Sequence, residues 1–188
     1  MYDWTLSWAQ SPYATWALFF MAFAESSFFP IPPDVLLIAL CLGNQKKSFF
    51  YALVCTVGSV AGGMFGYILG AYFFKPICEP FIEMMGKTEV YESVVVKFQE
   101  KGALYVAIAG FTVIPYKIFT VAAGVASVNI FAFATASLFS RSARFFLVAV
   151  VMFYWGKKAK PYIDKYFEAL VILFSVLILL GLWLSSRL

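Results

Sequence analysis

The feature that most limits what this chain can become is a series of long apolar stretches with almost no charge. They run roughly from Pro12 to Leu42, Phe49 to Phe74, Gly102 to Val128, Ile130 to Trp155 and Tyr166 to Leu184. Most exceed the length needed to cross a bilayer as helix. Composition agrees: 63% of residues are hydrophobic and 13% charged, where a soluble domain is nearer half apolar and a quarter charged. The expected class is an all-α polytopic membrane protein, multi-pass in the cell inner (plasma) membrane.

Several function classes fall away. The chain has no histidine, which removes Ser-His-Asp chemistry, His-ligated zinc and the commonest general base. Cys41, Cys55 and Cys78 show no metal-ligand spacing; Cys41 and Cys55 read as small packing residues. The net charge of +4 is spread over short loops, so it speaks of membrane orientation and not of nucleic acid. The opening "MYDWTLSWAQ" lacks the basic region of a signal peptide, and Trp4 and Trp8 are expected at headgroup level. No enzyme activity, cofactor or metal is expected. Membrane lipid and protons are the expected partners, and self-association stays open.

The first and third stretches differ from ordinary spans. "FAESSFFPIPPDVLLIAL", Phe23 to Leu40, carries Glu25, Asp34 and three prolines: Pro30, Pro32 and Pro33. Proline removes a backbone donor and clashes with the preceding turn. The third stretch breaks at Pro115 and carries Lys117. Setting "IPPDVLLIA" above "IPYKIFTVA" gives an offset of 83, Ile31 to Ile114, and places Asp34 opposite Lys117. Paired broken segments in two halves of a membrane protein point to a midplane binding site. Freed carbonyls at such breaks must be buried in protein or line a wet cavity.

Two arrangements are compatible with this repeat. If both broken segments are re-entrant hairpins, about 12–43 and 102–128, one crossing separates them and the halves are inverted. If both span fully, the repeats are parallel. Loop lysines favour full spans; the three prolines favour hairpins, which is the expectation adopted. The fold expected is therefore two inverted re-entrant hairpins, about three transmembrane helices and an amphipathic connector. That connector runs from Lys75 to Lys101, with Tyr91, Val94, Val95 and Phe98 on one face.

Five charges fall at membrane depth: Glu25, Asp34, Lys117, Arg141 and Arg144. Left unpaired they would cost on the order of 12–18 kcal/mol, comparable to a protein's whole stability of about 5–15 kcal/mol. They are expected to pair or to line water. Lys117, Arg141 and Arg144 are candidates for binding an anionic substrate; Glu25 and Asp34 are candidates for balancing them and carrying protons. Permanent salt bridging is the structural alternative. Gly58, Gly62, Gly66 and Gly70 form a stripe at spacings of four, which lets helix backbones touch in lipid.

These residues resemble the DedA family, the bacterial branch of the VTT-domain (SNARE-associated) membrane proteins. The likeness rests on "PPD" in the first broken segment, the Gly-rich helix after it, the second segment ending in "AAG", and the later arginines. It covers roughly Ala22 to Trp155. The resemblance implies two facing re-entrant hairpins and proton-motive-force-dependent translocation of a lipid, such as a phospholipid or undecaprenyl phosphate. By position, Glu25 matches the family's first-hairpin acid and Asp34 its Pro-Gly-Asp acid, with Pro33 replacing glycine. Lys117 stands where the family commonly has arginine, and Gly110 lies near the place of the preceding arginine. The expectation is a flippase or scramblase of anionic lipid. The alternatives are a proton-coupled antiporter of a small ion or solute and a non-transporting scaffold.

Overall fold

The computed structural model describes residues 13–27, 32–86, 88–112 and 115–156. Trp4, Trp8, Pro30 and the stretch from Tyr166 to Leu184 lie outside the described residues. All the regular elements described are helices: α1 (Ala14–Ser27), α2 (Asp34–Gly43), α3 (Ser48–Leu69), α4 (Lys75–Met84), α5 (Thr88–Phe111), α6 (Tyr116–Val125) and α7 (Ile130–Gly156). A 3-10 turn, Gln45–Lys47, leads into α3, and a π turn, Gly70–Phe74, joins α3 to α4. Two helical stretches, Gln45–Ile77 and Ile130–Gly156, are long and apolar enough to cross a membrane.

The prolines set the short helices. Pro33 sits in helical geometry at the start of α2, and Pro115 (φ −60°, ψ 97°) precedes α6. A fixed φ near −65° suits proline to a helix start. Asn129 opens α7, its Oδ1 accepting from the amides of Phe131 (2.9 Å) and Ala132 (3.1 Å), the usual service of an N-cap side chain. Element starts repeat at an interval of 82: Asp34 to Tyr116, and Ser48 to Ile130. A short helix after a proline, followed by a long one, therefore occurs twice.

Helices α3 and α7 run antiparallel over their whole length. At one end Gln45 Nε2 donates to the Met152 carbonyl (3.2 Å) and Phe49 packs on Phe153. At the other, the rings of Tyr67 and Phe133 lie 5.1 Å apart and Tyr67 donates to the Val128 carbonyl (2.6 Å). One buried cluster gathers α1, α2, the first half of α3 and the end of α7, around Leu18, Leu37, Leu40, Cys55 and Phe145. A second gathers α5, α6 and the start of α7, around Val106, Tyr116, Ala123 and Phe133.

Between these clusters α3 and the π turn that continues it meet both sets of short helices through their glycines. Gly58 lies against the Phe19 carbonyl and Gly62 against that of Phe23, both on α1; Gly70 lies against the Val121 carbonyl on α6. A β-carbon at Gly62 or Gly70 would land on backbone oxygen, so only glycine permits the approach. Gly66 meets both sides, facing the Ser26 carbonyl and Thr120. Elsewhere the outer surface is apolar, with Trp16, Phe20, Phe131, Phe139 and Leu147 exposed. Apolar patches of that extent suit a lipid setting.

The connector differs from expectation. The chain from Lys75 divides into α4 and a single helix, α5, that runs from Thr88 through Gly102 to Phe111. Gly102 is a close-packing position beside Val128, not an element boundary. Tyr91, Val94, Val95 and Phe98, the apolar stripe of the connector, turn toward α6 and line a groove there.

Candidate functional site

Four of the five deep charges meet where the two clusters join. Arg141 lies near the middle of α7 and is 1% exposed, while Glu25, Asp34 and Arg144 are each about one-fifth exposed. Arg141 Nη2 donates to Glu25 Oε2 at 2.6 Å, and its Nε donates to Ser59 Oγ. Ser26 Oγ donates to Glu25 Oε2 (3.0 Å) and lies 2.7 Å from Ser59 Oγ. With the Ser26 proton on Glu25, Ser59 must donate to Ser26. A closed ring of hydrogen bonds results, Arg141 to Ser59 to Ser26 to Glu25 and back to Arg141. The guanidinium carbon sits 4.9 Å from the Tyr116 ring centre and 4.8 Å from that of Phe145. Two aromatic faces thus cover a cation already satisfied at its edge.

Arg144, one turn on, does something different. Its Nη2 donates to Asp34 Oδ2 and its Nη1 to the Thr112 carbonyl at 3.0 Å. Thr112 follows the last residue of α5, where helix carbonyls lack intrahelical partners. Asp34 is the first residue of α2, where a carboxylate favours the positive end of the helix dipole. One guanidinium therefore ties the break after α5 to the break before α2.

Lys117 does not join this set. Asp34, its counterpart in the sequence repeat, is held by Arg144 instead. The Lys117 side chain lines an apolar groove between α5 and α6. Among the described residues no acid or hydrogen-bond acceptor engages its ammonium. The register explains this. Asp34 opens α2, whereas Lys117 is the second residue of α6, and one residue turns a helix by about 100°.

Three buried polar atoms near the ion pairs have no hydrogen bond of normal geometry among the described residues: Asp34 Oδ1, the Tyr116 hydroxyl and Ser137 Oγ. Ser140 Oγ donates to the Ser137 carbonyl (3.2 Å). Gly110 packs where a β-carbon would strike Ser140 Oγ, so α5 and α7 approach too closely there for a longer side chain. Of the proline breaks, Pro33 is buried and Pro32 and Pro115 are half-buried. Ser26, Ser59, Thr112 and Tyr116 are not among the site residues expected from the sequence. Ser26 and Ser59 carried a signal, since each is a hydroxyl inside an apolar helix and Ser26 adjoins Glu25.

With only helices among its described regular elements, two of them of membrane length, and a charge-paired centre between broken ones, the protein is of the membrane-embedded helical class. The chain belongs to the VTT domain family, which its residues 31–154 match. That range includes Asp34, Lys117, Arg141 and Arg144, and begins just after Glu25. An uncharacterized protein of Haemophilus influenzae is 37% identical over 179 residues, covering 95% of this chain and 92% of its own. An uncharacterized homolog from Histophilus somni is 37% identical over 158 residues, covering 84% and 82%. No solved structure matches. The family is membrane-associated and thought to be transport-related.

Proposed function

We propose that this protein moves a phosphate-bearing anionic lipid, a phospholipid or undecaprenyl phosphate, across the bilayer in a proton-coupled step. The observation that carries the reading is the Arg144–Asp34 pair, partly accessible and set at the meeting of both breaks. Support for re-entrant hairpins comes from contact order. Phe19 meets Gly58 and Phe23 meets Gly62, so α1 rises along α3; α2 then returns to Gln45 at its foot. From the other end, Gln99 donates to the Ala126 carbonyl (3.2 Å) and Lys75 to Ser127 (3.2 Å), while Thr112 reaches Arg144 midway. In this reading α1–α2 and α5–α6 enter from opposite faces and their tips meet at the arginines.

The two arginines divide the work. Arg141, closed in by Glu25, two serines and two rings, holds the centre together. Arg144 is the fork that meets the phosphate. A proton on Asp34 cancels its charge and frees Nη2, and two N–H groups then face two phosphate oxygens, the geometry arginine serves best. Exchanging carboxylate for phosphate keeps the guanidinium paired throughout, so no partly buried charge is left without a partner.

The test is a proteoliposome assay following a fluorescent phosphate lipid from one leaflet to the other under a pH gradient. Wild-type protein should transfer it and Arg144→Ala should not; equal rates would sink the reading. Dissipation of the gradient on adding cations, with no lipid movement, would favour the antiporter instead.

A further inference from the structure

Lys117 and the groove it lines are not used by the mechanism above. The groove has a volume of about 490 Å³, within the range of ligand-sized clefts. Its walls are Val94, Val95 and Phe98 from α5, Ile118 and Val121 from α6, and Phe74 from the π turn. Its polar members are few. Ser27 has its hydroxyl directed to the carbonyls of Gly62 (3.0 Å) and Phe23 (2.8 Å), and so offers Lys117 no counter-charge. An ammonium without an acid among the described residues, beside a long apolar wall, is complementary to one anionic group joined to hydrocarbon. A free anion would satisfy the lysine and leave the walls bare.

We propose that the groove between α5 and α6 binds one hydrocarbon chain of a phosphate lipid whose headgroup rests on the Lys117 ammonium, at a site separate from Arg144. This deepens the transport reading and rests on it only for the kind of lipid. Lys117 and Tyr116 are neighbours on α6, and the Tyr116 ring covers Arg141. A headgroup leaving Lys117 for the arginines would pass that ring. The groove is then a waiting position on one side of the centre.

The full chain in phosphatidylcholine nanodiscs, doped with phosphatidic acid bearing a diazirine in its acyl chain, provides the test. Photolysis should place adducts on residues 94–98 and 118–125. Lys117→Gln should lower that labelling about tenfold, the loss of one charged contact, and Lys117→Arg should keep it. Val94→Trp, a half-exposed position, should block the groove without disturbing the core. A diazirine diacylglycerol, which lacks phosphate, should label about tenfold less. Equal labelling of Lys117→Gln or equal labelling by diacylglycerol each overturns the proposal. A labelled groove without lipid transfer in proteoliposomes would sink the transport reading alone. Wild-type transfer with an unlabelled groove would sink this proposal alone.

Discussion

Arg144 on α7 holds Asp34 at the start of α2, and its second nitrogen reaches the carbonyl at the end of α5. A lysine ammonium is a single point of charge and lacks the planar fork that reaches both acceptors from separate nitrogens. Arg144→Lys is expected to slow lipid transfer about tenfold and Arg144→Ala more, each tenfold corresponding to about 1.4 kcal/mol. Thermal stability should fall less than for changes at Arg141, because the Arg144 pair is partly solvated. Proteoliposome transfer and thermal unfolding of the same samples check both halves.

Arg141 should behave as a structural pin. Removing it strands Glu25 and undoes the ring through Ser26 and Ser59, so Arg141→Ala is expected to cost about 3–5 kcal/mol. The pair Glu25→Gln with Arg141→Met should lose less than the two single changes added together, since neither partner is left charged alone. Unfolding midpoints in detergent measure this, and an unchanged midpoint for Arg141→Ala would refute it.

The glycines of α3 and the π turn after it predict a contrast with a glycine elsewhere. Gly62→Ala and Gly70→Ala force a methyl onto a backbone carbonyl, and overpacking of this kind costs roughly 1–3 kcal/mol. Gly43 has nothing within 4 Å of its would-be β-carbon. Gly43→Ala should be neutral or slightly stabilising, since alanine favours helix by about 0.5–1 kcal/mol. Thermal unfolding of the three variants is the comparison.

Cysteine accessibility tests the opposed entry of the two broken units. In a background with Cys41, Cys55 and Cys78 replaced by alanine, Lys101→Cys and Asn129→Cys should react with an impermeant reagent from one face. Asn44→Cys should react from the other. Lys101 and Asn129 on opposite faces would instead mean that the second broken segment spans fully.

Much of this arrangement could be read before any coordinates. Apolar length located the two long helices, because a single segment satisfies its own backbone in lipid only as helix. Proline marked the starts of α2 and α6 for the reasons of φ and missing donor already given. What sequence could not supply was which charge meets which. The repeat aligned Asp34 with Lys117, but a single residue of helix phase carried their side chains to different neighbours. Arg144 took Asp34 because α7 crosses both breaks, and that is a fact of packing. Continuity of α5 through Gly102 was equally hidden, since a glycine at a helix contact and a glycine at a boundary look alike in one sequence.

The row of glycines along α3 and into the π turn has a mechanical corollary. Gly58 and Gly62 seat one short helix, Gly70 seats another, and Gly66 touches both, all along a single rail. Rolling that rail about its own axis would unseat both riders together. The two halves of the protein therefore share one axle, and a twist begun at either end must be felt at the other.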